Sequence, residues 1–322
     1  MRRLTLIPLL AFFIALALGF SEAGAQVKLV AGKAVAKTFG FVPADAAKEL
    51  GFFKKRGLDV DIVAFRGGAH LVQGIAAGSV DIGLDGATST FLGIAKGTPI
   101  KVVTATRDSL EAMGVIVSHR SGIRSVADIK GKRIGVTSHG AITDWLMVRL
   151  AEKQGWDPKT GITRVPLGPF TGQVAALKRG ETDGFVWTID GGWEVEAEGL
   201  GKFLISFGEI FPQADFEVMS ATEKLLRERP EAVRAFMDAF FEAVRYMKAN
   251  KEYAVKKTAE VLGLTPDIAR RVYELDMKNL PDRPSLKREG LKFMMESFVR
   301  DGTLEKAPPL EAIYDSRFVE PR

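Results

Sequence analysis

The chain of 322 residues contains no cysteine. That absence removes disulfides, thiolate metal sites, iron–sulfur clusters and a cysteine nucleophile together. Histidine is almost as scarce. His70, His119 and His139 stand far apart and form neither an H-x-x-x-H nor an H-E-x-x-H pattern, which argues against a zinc hydrolase. A G-x-x-x-x-G-K-[ST] loop, a G-x-G-x-x-G after a strand, a G-x-S-x-G elbow and an S-x-x-K pair are missing as well. No catalytic residue, metal ligand or cofactor is therefore nominated, and the expectation is a protein that binds rather than an enzyme. A dominant charge is also lacking: 45 basic and 40 acidic residues leave a net +5. The basic residues form no stripe, and many stand four residues from an acid, as in Glu223/Arg227, Glu252/Lys256 and Asp267/Arg271. That pattern reads as a solvated surface, not as a nucleic-acid interface.

What is present begins at the first residues. Arg2 and Arg3 precede an apolar run over 4–20, and Ala23-Gly24-Ala25 follows. A charged start, a short apolar middle and an A-x-A end form the layout of a secretory signal peptide, here 1–25, and imply a periplasmic protein. A membrane anchor is the alternative; no second apolar run follows. With no disulfide to hold it, an exported chain depends on its core, and the remaining length is ample for one.

From Val27 onward short apolar runs alternate with amphipathic stretches, which predicts βα units and mostly parallel sheet. Strands are expected near 28–31, 59–65, 81–84, 100–106, 113–118, 134–137, 162–167 and 184–187. Helices are expected over 44–53, 70–77, from Ala87, over 142–153 and over 173–179. Beyond Ser220 the texture turns helical. Pro230 opens a helix in which Val233, Phe236, Met237, Phe240, Phe241, Val244 and Met247 keep helical spacing. The residues from Ala307 on read as an extended tail. A weak internal repeat links the two halves. Gly78 and Gly180 stand 102 positions apart, as do Asp81 and Asp183, each in a strand, loop, helix, Gly-x-x-Asp, strand sequence.

Ligands of open α/β sheets sit beyond the carboxyl ends of strands, where helix starts offer unpaired N–H groups. The turns in those positions supply the candidate binding residues. They are Lys37, Thr38 and Phe39; Arg66, Gly67 and Gly68; Gly86, Ala87, Thr88 and Ser89; and Ser138, His139, Gly140 and Ala141. Phe170, Trp187 and Asp190 join them. Arg66 is a fork for an anionic group, Phe39, Phe170 and Trp187 are candidate apolar walls, and Asp85 and Asp190 are candidate amine acceptors or turn caps.

Four segments carry a family resemblance: 46–60 (AAKELGFFKKRGLDV), 65–68 (FRGG), 77–83 (AGSVDIG) and 129–136 (IKGKRIGV). Together they resemble the nitrate/sulfonate/taurine-type solute-binding proteins of ABC importers, a group that includes pyrimidine-precursor binders. The resemblance implies a two-lobed type II periplasmic-binding fold. It has mixed, mostly parallel sheets, a cleft between the lobes and a helical C-terminal region. Residues 26–107 and 206–306 would form the first lobe, 108–205 the second, and 307–322 a tail. Crossings between lobes would fall near 104–108 and 204–208. It also implies a small anionic or aromatic/heterocyclic solute (a sulfonate, carboxylate, nitrate-like anion or pyrimidine) caught by lobe closure, a membrane permease as partner and a monomer. A sensor of a membrane receptor, or a relative of the thiamine-pyrimidine synthases, is the alternative. Many relatives carry Trp-Glu-Pro where this chain has Thr188-Ile189-Asp190 after Trp187, so the identity of the ligand does not transfer. Arg66→Ala is expected to weaken binding of an anion without unfolding the protein.

Overall fold

The computed structural model describes residues 26–215 and 217–320. The proposed signal peptide lies outside the described residues. The chain first alternates β1 (Val27–Lys33), α1 (Val42–Glu49), β2 (Leu58–Ala64), α2 (Gly68–Ala76), β3 (Ile82–Gly86), α3 (Ala87–Ala95) and β4 (Ile100–Arg107). The second series is β5 (Met113–Ser118), β6 (Arg133–Val136), α4 (Ile142–Lys153), β7 (Thr163–Pro166), α5 (Phe170–Arg179), β8 (Gly184–Thr188), α6 (Ile189–Ala197) and β9 (Gly201–Ser206). The chain then returns through β10 (Glu217–Thr222) to α7 (Glu223–Glu228), α8 (Pro230–Ala249), α9 (Lys251–Leu262), α10 (Pro266–Asp276) and α11 (Arg288–Arg300).

Two five-stranded sheets result, ordered β2-β1-β3-β10-β4 and β7-β6-β8-β5-β9. In the first, β1 runs parallel to β2 and β3, while β10 is antiparallel to both β3 and β4. In the second, β6 runs parallel to β7 and β8, and β5 is antiparallel to β8 and β9. Each sheet thus receives one reversed strand at the point where the chain arrives from the other. The chain leaves the first sheet after Arg107 and enters the second at Met113; it goes back between Ser206 and Glu217.

The repeat has a structural meaning. Gly78 and Gly180 both take left-handed backbone, at φ +76° and +71°, and end α2 and α5. Three residues later, Asp81 and Asp183 each accept from the backbone N–H of an adjacent strand residue, Val30 at 2.8 Å and Arg133 at 2.9 Å. The same carboxylate clip therefore registers the helix-to-strand return in both halves.

Local chemistry also explains where elements stop. The helix expected over 44–53 ends at Glu49 because Gly51 turns left-handed at φ +74°. The expected start of α2 at His70 moves to Gly68. Strands β9 and β10 and helix α6 were not anticipated. The segment read as a tail instead lies along β4. Val102 N–H donates to Ile313 O, and Asp315 N–H donates to Val102 O, both at 2.9 Å. Of the three i,i+4 ion pairs anticipated, Glu223 and Arg227 turn to Lys101 and Glu228, Asp267 pairs with Arg270, and Arg271 stacks over Trp193 at 4.0 Å.

Helix α8 supplies much of the first core. All seven of its periodic apolar residues are buried, and Phe236 stacks on Phe53 with centroids 4.7 Å apart. Burying each such side chain contributes about 1.5–3 kcal/mol, which is how a chain without disulfides is held. A second cluster joins α3, α4, β5 and α11, so apolar packing is continuous between the lobes on one side of the cleft.

Candidate functional site

The carboxyl ends of the parallel strands of both sheets converge on a cavity of about 50 Å³. From the first lobe it is lined by Ala34, Val35, Lys37, Thr38 and Phe41, then Gly68, then Asp85, Gly86 and Ser89. From the second come Met113, Thr137, Ala141, Ile142, Thr143, Trp187 and Thr188, and Glu217 completes it. The two helix starts nominated from sequence do face each other. An ideal Cβ on Gly86 would stand 2.9 Å from Ile142 Cγ2, and Thr88 Oγ1 lies 3.4 Å from Gly140 O across the gap. Gly67, at φ +148°, lets its loop pass Ser138, whose Oγ lies 2.9 Å from the missing Cβ. The lobes are closed.

Of the candidates, Lys37, Thr38, Gly68, Gly86, Ser89, Ala141 and Trp187 line this cavity. The others are near it or elsewhere. Phe39 is buried in the first core, and Phe41, two residues on, takes the place at the wall. Ala87 and Thr88 are buried at the start of α3. Arg66 is exposed at the rim, its Nε 3.8 Å from the Cβ position of Gly168 in the other lobe. Ser138 packs on Gly67, behind the lining. His139 and Gly140 face outward into a separate groove of about 700 Å³, where His139 Nδ1 lies 3.3 Å from Asp144. Phe170 backs Trp187 at 5.5 Å between centroids, and Lys37 Nζ lies 5.7 Å over its ring. Asp190 is buried in the first turn of α6, outside the lining.

Two carboxylates in the lining dominate its electrostatics. Asp85 is fully enclosed. Its Oδ1 accepts from Gly86 N–H at 2.7 Å, and its Oδ2 accepts from Ser89 Oγ at 2.7 Å and Thr90 Oγ1 at 3.2 Å. Burial outweighs these bonds and pushes its pKa up to about 7, with the Glu217 charge adding in the same direction. Glu217 accepts from Thr38 Oγ1 at 2.7 Å and pairs with Arg107 Nε at 3.5 Å. Burial raises its pKa too, while Arg107 opposes the shift. Glu217 and Met113 escaped sequence reasoning. Their reversed strands put them in place, since Glu217 pairs with Gly86 and Met113 with Thr188. Among the described residues, no cluster of three His, Asp or Glu side chains is arranged to hold a metal ion.

The Asp85 shift makes an expected outcome. A carboxyl with pKa near 7 when folded and about 3.9 when unfolded binds more protons in the folded state between those values. Its contribution to stability is complete below about pH 4 and is lost as pH rises through 7. Unliganded wild type should lose about 2 kcal/mol from this group between pH 5 and pH 7. Denaturant titrations of Asp85→Asn should show a shallower fall by that amount. Equal slopes would remove Asp85 as the source.

The fold is that of a two-lobed protein, α/β in both lobes, with a cavity closed between them. The profile of the NMT1/THI5-like family matches residues 38–254, and the chain belongs to that family. A putative binding protein of Brucella abortus is 29% identical over 218 residues, 67% of this chain. The match spans 66% of that relative, just under two thirds of its length. The 4-amino-5-hydroxymethyl-2-methylpyrimidine phosphate synthase THI13 of Saccharomyces cerevisiae is 27% identical over 247 residues, 70% of this chain and 68% of the relative. The alkanesulfonate-binding protein SsuA from Xanthomonas axonopodis pv. citri, solved bound to MOPS, superposes with a TM-score of 0.73 at 20% identity. That superposition covers 90% of this chain and 96% of the other, and it shows the shared fold.

Proposed function

We propose that this chain captures a small solute between its lobes outside the cytoplasm and presents it to the permease of an ABC importer, acting as a monomer. The observation that carries the reading is the cavity itself, closed between opposed helix starts from two sheets that the chain links by separate crossings. Such an arrangement binds by closure: a solute that touches both lobes favours the closed state by its differential affinity. The cavity is lined by hydroxyls, two carboxylates and apolar walls, with no histidine among the described lining residues, a surface suited to holding a guest unchanged. Arg66, at the rim, fits a role in closing the lobes against Gly168 better than direct contact with the guest.

The experiment is a melting-temperature screen of solutes, with small-angle scattering to follow closure. A true ligand at one hundred times its dissociation constant adds about 2.7 kcal/mol of stability. Gly68→Val is the control, because a Cβ there would lie 2.1 Å from Ser89 Oγ and 2.4 Å from Asp85 Oδ1. The variant should lose the stabilisation, with circular dichroism verifying that it is folded. A solute that protects both proteins equally binds somewhere else, and the cleft reading falls.

A further inference from the structure

We infer that the cleft selects a small solute bearing a cationic N–H group, amine or amidine-like, which donates to Asp85, and that it rejects oxyanions. The inference rests on the cleft being the solute site. Charge in the lining is its first support. Asp85 and Glu217 both border a cavity of about 50 Å³, and Lys37 is the single basic residue of the lining. The Lys37 ammonium is directed away from that space: it lies 3.1 Å from the Cβ position of Gly263 and 5.7 Å over the Phe170 ring. Above about pH 7, where Asp85 is ionised, an anion entering here would meet its carboxylate in a low-dielectric enclosure.

The second support is the bonding of Asp85. A carboxylate offers about four acceptor positions. Three are taken, all by neutral donors: Gly86 N–H on Oδ1, Ser89 and Thr90 hydroxyls on Oδ2. The position left belongs to Oδ1, the oxygen that approaches the missing side chain of Gly68, which itself lines the cavity. Glu217, by contrast, already has Thr38 and Arg107. The N–H of Gly86, the N-cap residue of α3, is already taken by Asp85 itself. Trp187, on the facing lobe, provides an indole wall of the kind that favours cations. Lining hydroxyls of Thr137, Thr143 and Thr188 add further acceptors.

Charge is separated from shape by isosteric probes: guanidinium against nitrate, acetamidine against acetate, and ethylamine as the amine arm. Each is titrated into purified wild type and Asp85→Asn by calorimetry, with melting curves confirming that both proteins fold. The expected result is that at least one N–H cation binds wild type, its isosteric anion binds at least tenfold more weakly, and Asp85→Asn lowers the cation affinity at least tenfold. Binding should strengthen from pH 5 to pH 8 as Asp85 ionises. The groups around it are Glu217 on β10, Lys37 beyond β1 and the neutral Gly68, Ser89 and Thr90, with His70 of α2 exposed. Which arm wins distinguishes amine from amidine. Preferential binding of nitrate or acetate, or a cation affinity that Asp85→Asn leaves unchanged, overturns the ligand class while the cleft remains the solute site. If neither probe set nor the broad solute screen alters melting, the solute-capture reading falls with it.

Discussion

Arg107→Leu should lower the stability of the folded chain by about 3–5 kcal/mol near neutral pH, the cost of leaving buried charge without its partner. Arg107 has no exposed surface and ends β4, where the chain first leaves the first sheet. Its Nε lies 3.5 Å from Glu217 at the start of β10, and its Nη2 lies 3.1 Å from Asp276 at the end of α10. Asp190, at the start of α6 in the other lobe, sits in the same field. One guanidinium at the first crossing thus serves three buried carboxylates, Glu217 at the second crossing, Asp276 on α10 and Asp190 in the other lobe. Burial raises the pKa of Glu217 and Asp190, and Arg107 opposes the rise. Leucine removes that opposition, so the carboxyls take up protons in the folded state, and the loss shrinks as pH falls. Denaturant unfolding at pH 7.5 and pH 5 should show a deficit that is clearly larger at the higher pH. A deficit under about 1 kcal/mol, the range of a surface ion pair, or one independent of pH, contradicts this account of the cluster.

The same cluster shows what the sequence could and could not disclose. Alternating apolar runs and the Gly-x-x-Asp repeat are local signals, and they located the βα units because each unit is stabilised by its own neighbours. The opposed helix starts at Gly86 and Ala141 follow from chain order, since every parallel strand delivers its next loop to the same edge of the sheet. That logic counts only where parallel strands end. Met113 and Glu217 stand at the beginnings of reversed strands, and a strand that runs backward brings its first residue to the edge where its neighbours bring their last. Nothing local marks a strand as reversed, so Asp85, on a parallel strand, was legible while Glu217, the other carboxylate of the cavity, was invisible. Side-chain direction was equally hidden. Phe39 and Phe41 sit in one short turn and both pack in the first core, yet only Phe41 also borders the cavity. His139 begins the right loop and faces the wrong way.

Trp145→Ala should cost about 3–5 kcal/mol, the loss typical of a buried aromatic truncated to a methyl group. Trp145, on α4, is almost wholly buried, with ring centroids 5.8 Å from Phe211 and 5.7 Å from Phe293. Its Nε1–H donates to Ser297 Oγ on α11 at 2.7 Å. One turn along, Arg149 of α4 pairs with Asp301 just past α11 at 2.7 Å and with Glu152 at 3.0 Å. Helix α11 comes after the chain has returned to the first sheet, yet these directional bonds tie it to a helix of the second. Its attachment to α4 therefore makes a third connection between the lobes, beside the two strand crossings. If so, truncating Trp145 loosens one end of that connection selectively. Hydrogen exchange should quicken across α11 and α4 while β1–β3 stay protected, and Trp145→Phe, which keeps a ring but not the N–H, should cost only about 1 kcal/mol, near the value of one hydrogen bond. Uniform loss of protection over both sheets would mean that α11 is part of a single cooperative core and links nothing. Selective loss would mean that α11 joins the two lobes independently of the strand crossings.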